Sequence, residues 1–184
     1  MEDDEALHTV CFRCGSSKPL LRKEDLGVDV CLTCEHPFIR CMINYDVIPL
    51  VEFKSADNFD ESQMIEFMQS VKKGGKTDTL FHDAIDKSLA RAENGYKAIE
   101  IGKDVLETID RADVFTLYCS KTNAQRYYKN MIPDIGIAVC HNCSQFFHEE
   151  EFEYHYLQKG GCPICKTELI TKVSCSSSVT QCAV

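Results

Sequence analysis

Apolar residues recur along this chain in two rhythms. Over 60–73, Met64, Phe67, Met68 and Val71 fall at i, i+3, i+4 and i+7, the stripe of an amphipathic helix. Asn58 or Asp60 can cap its start and Gly74-Gly75 ends it. A second helix is predicted over 78–92, with Leu80, Phe81, Ile85 and Leu89 on one face and Gly95 beyond it. Both stripes read as core packing rather than as cofactor boxes. Over 44–54, the apolar run of Val47, Ile48, Leu50, Val51 and Phe53 is interrupted by Pro49. That predicts an edge strand or an extended lead-in, because proline cannot donate to a ladder. Weak alternation makes 96–101 a strand, 104–110 reads as a short helical turn, and 114–119 is β-prone. A further helix is expected over 123–131, stopped by Pro133. Segments 135–139 and 168–173 read as strands around the last cysteines, and 174–184 as a flexible Ser/Thr-rich tail.

The cysteines change this picture. There are twelve, and eight fall into four CxxC pairs. Cys11 and Cys14 are followed, after sixteen residues, by Cys31 and Cys34. Cys140 and Cys143 are followed, after eighteen residues, by Cys162 and Cys165. Both sets match the zinc spacing C-x2-C-x15–20-C-x2-C. Two residues between cysteines let a tight backbone knuckle aim both sulfurs at one ion, and two knuckles supply a tetrahedral shell. Four protein ligands leave no open position, so such a site is structural rather than catalytic. In-order pairing needs only short loop closure, with crossing between the ends as the alternative. Disulfides would require an oxidising compartment, of which the sequence carries no sign. Iron–sulfur ligation by four cysteines is the remaining chemical alternative. His36, His141, His148 and His155 lie in or beside these units, and their expected role is local packing or solvent exposure. Cys41, Cys119, Cys175 and Cys182 are left over.

Composition removes several function classes. The formal net charge is −9, and an acidic chain repels phosphate backbones, so nucleic acid is not expected as a partner. The start, MEDDEA, is acidic where a secretory signal needs basic residues and an apolar run, and no stretch approaches a membrane span. No GxSxG, P-loop or HExxH motif occurs, so no enzyme is expected. The run His148-Glu149-Glu150-Glu151 reads as a solvated face. Cys162-Pro163-Ile164-Cys165 has the look of the last pair of a RING. A RING interleaves eight ligands over two ions, however, and this unit offers four cysteines. A RING-like ubiquitin ligase or another zinc-dependent adaptor is the alternative reading.

The residues also carry a family resemblance. EALHTVCFRCGSSKPLL, then VCLTCEHPFI and YDVIPLVEF, and later RYYKNMIPDIGIAVCHNCSQFFHEEEFEYHYLQKGGCPIC, resemble in order the C-terminal region of the intraflagellar transport protein 122 homolog family. These parts cover roughly half the chain, and 54–110 carries no recognisable match. The resemblance implies a core subunit of intraflagellar transport complex A, built from propellers, a helical solenoid and this cysteine-rich end. It implies a place in the cilium and cytoplasm, at the ciliary base and axoneme. Retrograde transport, cilium assembly, contact with other complex A subunits and indirect handling of membrane cargo follow from it. It also implies the eight paired cysteines as ligands of two zinc ions. No propeller or solenoid pattern occurs in these 184 residues, so the expectation is a fragment or an isolated terminal module.

The fold expected is α+β, with two small four-cysteine, zinc-ribbon-like units flanking a helical or mixed middle. The boundaries read as a first zinc unit at 1–45, a middle region at 46–134, a second zinc unit at 135–173 and a tail at 174–184.

Overall fold

The computed structural model describes residues 9–18, 21–23, 28–56, 61–69, 79–90, 96–119 and 124–168. The architecture is α+β, with a cysteine cluster toward each end and a mixed sheet between them. The first end holds two small antiparallel ribbons. One pairs β1 (Thr9–Val10) with β2 (Ser17–Lys18), the other β3 (Leu21–Lys23) with β4 (Val28–Val30).

The body is built on β5 (Leu50–Ser55). Helices α1 (Glu61–Gln69) and α2 (Thr79–Ala90) follow, then β6 (Ile99–Ile101) parallel to β5, so the helices lie on a crossover connection. A short helix α3 (Lys103–Leu106) and a 3-10 turn at Arg111–Asp113 lead into β7 (Val114–Cys119) and β8 (Ala124–Asn130). The strand order is β6-β5-β8-β7. The second end is the hairpin β9 (Ile137–Cys140) and β10 (Gln145–His148), followed by helix α4 (Glu149–Lys159).

Side chains alternate across the sheet with the strand period of two. Val51, Phe53, Ile99, Ile101, Val114 and Tyr127 face one side and pack with Met64, Phe81 and Ile85 of the crossover helices. Phe53 anchors this core, set edge-on to Phe81 and stacked on Tyr127, each at 5.9 Å between centroids. Leu50, Leu117 and Tyr128 face the other side and pack with Phe146, Phe147 and Phe152 of the second end. The sheet is therefore packed on both faces, under helices on one and, over its Leu50, Leu117 and Tyr128 part, under the second cysteine unit on the other, while Lys54, Glu100 and Arg126 on that second face reach solvent.

Two sequence expectations change. The helix expected over 123–131 is, over its described residues, the strand Ala124–Asn130. It pairs with β7 from Val114↔Lys129 to Cys119↔Ala124 and with β5 from Leu50↔Asn130 to Phe53↔Tyr127. Its alternation is disguised by Lys129, which is fully buried. The Lys129 ammonium donates to the Asn130 carbonyl at 3.1 Å, with Asp113 at 4.0 Å and the Phe81 ring centroid at 5.7 Å. Second, β5 is an interior strand, and Pro49 sits one residue before it, where the missing N–H costs no ladder bond. The helices expected over 60–73 and 78–92 appear as α1 and α2, with Val71, Gly74, Gly75, Asn58 and Asp60 outside the described residues. So are 169–173 of the expected last strand, the 174–184 tail, Cys175 and Cys182.

Phe53→Ala should lower unfolding free energy by about 3–5 kcal/mol, the cost of truncating a buried aromatic. A urea titration at saturating zinc reads this as a fall in midpoint. An unchanged midpoint would mean that Phe53 does not anchor the body.

Candidate metal centres

Each cysteine pair sits on a turn with one backbone signature. In the first, the Gly15 N–H donates to the Cys11 carbonyl (2.8 Å) and the Cys11 N–H to the Ser16 carbonyl (3.0 Å). In the second, Glu35 donates to Cys31 (2.8 Å) and Cys31 to His36 (2.9 Å). Near the far end, Lys166 donates to Cys162 and Cys162 to Thr167, both at 3.0 Å. The Cys140–Cys143 turn instead closes the β9–β10 hairpin, where Gln145 pairs with Cys140. The residue after each second cysteine is left-handed, with φ of 68° at Gly15, 55° at Glu35, 53° at Ser144 and 60° at Lys166. Only one is the glycine that this conformation favours. Space matters at Gly161, where a Cβ would stand 2.9 Å from the Lys166 carbonyl oxygen across the last turn.

These turns gather eight sulfurs into two clusters, in chain order: Cys11, Cys14, Cys31 and Cys34, and Cys140, Cys143, Cys162 and Cys165. The short sulfur separations are 3.7 Å for Cys11–Cys34 and 3.6 Å for Cys14–Cys31. They are 3.7 Å for both Cys140–Cys165 and Cys143–Cys162. A tetrahedron with zinc–sulfur bonds of about 2.3 Å has edges of about 3.8 Å, so the spacing fits one zinc ion per cluster. It is far longer than the ~2.05 Å of a disulfide, and the cysteines are free thiols.

Crowding also sets the protonation of neighbouring sulfurs against one another. A bond from the Cys34 thiol holds Cys11 down at about 3, while that shared proton pushes Cys34 far up. The Thr167 hydroxyl holds Cys165 down at about 5, and burial pushes Cys140 and Cys143 up. Crowded thiols thus share protons, and a dication can replace those that remain. Ser16 Oγ lies 3.2 Å from Cys14 Sγ and 3.3 Å from Cys31 Sγ, within reach of a hydroxyl-to-thiolate bond.

The first cluster is fastened to the body by its own knuckle. Phe12 packs on the helical core, and Arg13, nearly buried, donates to Ser88 of α2 at 3.1 Å. The Arg13 guanidinium carbon lies 5.1 Å from the Tyr96 ring centroid, and the Tyr96 hydroxyl donates to Glu52 at 3.0 Å. Burial, with Glu52 beside it, pushes that hydroxyl far above its ordinary range, so it remains a donor. His36 is buried edge-on to Tyr96, far along the chain, so it neither faces solvent nor packs only locally. No histidine joins either cluster among the described residues. The acidic run is not wholly solvated, because Glu151 bonds to Cys41 and Asn44. Sequence reading sets Cys41 aside as a spare buried thiol and gives Asn44 no role at all. The signal that would find them is the repeat of Cys31-Leu32-Thr33-Cys34 ten residues on as Cys41-Met42-Ile43-Asn44.

Comparison with known proteins follows the same two ends. Residues 4–51 match the family model described as IFT122, zinc ribbon domain, and 135–169 match IFT122, C-terminal zinc ribbon domain. Intraflagellar transport protein 122 homolog from Danio rerio is 26% identical over 187 residues, covering 89% of this chain and 16% of the relative. The Homo sapiens protein of that name is 28% identical over 188 residues, covering 89% of this chain and 15% of the relative. The chain therefore spans about one sixth of the length of these relatives. With nine-tenths of it aligned, the likeness reaches into the 54–110 stretch that looks unmatched by eye. The chain is recognisably similar to the zinc-binding region of these proteins, and its two four-cysteine clusters are consistent with two zinc ions in zinc ribbons.

Native mass spectrometry of the chain purified under reducing conditions should find two zinc ions. Cys11→Ser and Cys162→Ser should each retain one. Two ions in either variant would remove that cysteine from the ligand set.

Proposed function

We propose that this chain is a structural zinc-binding interaction module of an intraflagellar transport complex A subunit. Cys11, Cys14, Cys31 and Cys34 hold one zinc, and Cys140, Cys143, Cys162 and Cys165 hold the other. Metal-stapled units at 1–45 and 135–173 flank the body at 46–134. The observation that carries this reading is the pair of closed four-sulfur clusters inside the two matched zinc ribbons. A shell filled by four protein ligands offers no position for water or substrate, so the zinc shapes a binding surface and performs no chemistry. A structural zinc contributes on the order of 10–16 kcal/mol of apparent binding energy, more than a typical domain's whole stability. The metal can therefore hold small ribbons rigid where their cores are thin.

The relatives are named for intraflagellar transport. We extend that to this chain as a role in retrograde ciliary transport and cilium assembly, at the ciliary base and axoneme. Its partners would be other complex A subunits, with membrane cargo reached only through them. No helix among the described residues is long and apolar enough to cross a membrane.

Affinity purification of the tagged chain from ciliated cells should recover other complex A subunits. Cys11→Ser or Cys162→Ser should cut that recovery by about tenfold or more, since losing one zinc unfolds its ribbon. Undiminished recovery by both variants would sink the proposal.

A further inference from the structure

We infer that Cys41–Asp46 is a fifth knuckle that grips a carboxylate instead of a metal, and that this carboxylate, Glu151, latches the second zinc ribbon to the first.

The turn is a copy of the metal-binding ones. The Tyr45 N–H donates to the Cys41 carbonyl at 3.0 Å and the Cys41 N–H to the Asp46 carbonyl at 2.8 Å. Tyr45, in the position of Gly15, Glu35 and Lys166, is left-handed with φ 63°. The copy is tandem. Isolated bridges Val30↔Pro37 and Arg40↔Val47 flank the Cys31 and Cys41 turns at equivalent places, ten residues apart. What differs is the fourth position, where Asn44 replaces the second sulfur.

That exchange inverts the chemistry. Two thiolates on a knuckle present negative charge to a cation. A thiol and a carboxamide present donors, and donors converge on an anion. The Cys41 thiol donates to one oxygen of Glu151 (3.4 Å) and Asn44 Nδ2 donates to the other (2.9 Å). The amide is held in that sense because Asn44 Oδ1 accepts from the Asp46 N–H (3.0 Å), while Nδ2 also donates to the Asp46 carboxylate (2.8 Å). The i and i+3 side chains thus meet on one carboxylate, as the sulfurs elsewhere meet on one ion.

The grip crosses between the units. Glu151 lies in the first turn of α4, inside the second ribbon, and the knuckle lies inside the first matched domain. A second bond runs the same way, from the Met42 N–H to the Phe146 carbonyl of β10 at 3.2 Å. Cys41 itself is fully buried among Cys140, Phe147, Phe152 and Cys162, with Ile39, Met42 and Ile43 packed alongside. Arg40 braces the turn, donating to the Tyr45 carbonyl at 2.8 Å and to Asp29 at 2.8 Å. This latch rests on the ribbon assignment, and its unfolding energetics test it separately from the zinc count of the two clusters.

The test is a double-mutant cycle on the full chain with Asn44→Ala and Glu151→Ala, read by urea unfolding, together with a metal count on the parent. Each single variant should reduce the folding equilibrium constant by about tenfold, the scale of one charge-assisted bond. The double variant should lose clearly less than the sum of the two single losses, because the Asn44–Glu151 bond is counted in both. Glu151→Gln keeps a neutral acceptor for Asn44 and should fall between parent and Glu151→Ala. Additive effects, or no effect from Glu151→Ala, would overturn the latch. So would a third zinc in the parent that Cys41→Ala removes, because a cation would then occupy the knuckle.

Discussion

The fold depends on one requirement, that four sulfurs crowd within 4.8 Å of one another twice over. Helices and strands satisfy their own backbones, but a turn as tight as Cys11–Ser16 or Cys162–Thr167 is closed by two backbone bonds and little else. Both sulfur clusters contain buried members. Held close without a cation, sulfurs either repel as thiolates or compete for protons; the Cys11–Cys34 bond, for instance, lowers Cys11 and raises Cys34. A dication removes that conflict and turns the crowding into attraction.

The rest of the chain is arranged around those two fixed points. The central sheet is covered by crossover helices on one side and, in part, by Phe146, Phe147 and Phe152 on the other, where Lys54, Glu100 and Arg126 reach solvent. The first cluster reaches the same body through Arg13, Ser88, Tyr96 and Glu52, a polar chain in which cation–π contact and hydrogen bonds replace apolar area. One zinc unit is therefore glued on by aromatic packing and the other by a relay of polar side chains. Unpairing a buried member of such a relay costs more than losing one bond, since its partner is left without solvent or substitute.

What the sequence made legible follows from how local each signal is. The metal clusters are readable because ligand spacing is set by the geometry of a single turn. Helices α1 and α2 are readable because their stripes are periodic over several turns. Strand β8 reads as a helix because a fully buried Lys129 sits where alternation calls for an apolar residue, a position that the Asn130 carbonyl, the Phe81 ring and Asp113 help to make tolerable. Glu52, Tyr96 and Arg13 give no signal in one dimension, being 44 residues apart in the first pair and further in the second. The Cys41 turn is visible as a repeat, yet asparagine in a ligand position hides it from a search for cysteines.

The left-handed residues give the knuckles a mechanical character. Glu35, Tyr45, Ser144 and Lys166 each hold a conformation that side chains with a Cβ resist, at a cost on the order of 1 kcal/mol apiece. Each is a small wound spring, kept wound by whatever its turn grips. Losing the grip releases that strain, which disfavours the clasped turn by a factor of about five per residue at that cost. The same strain therefore favours turns that close around what they grip over turns that wait already closed, tying the shape of each end to its occupant.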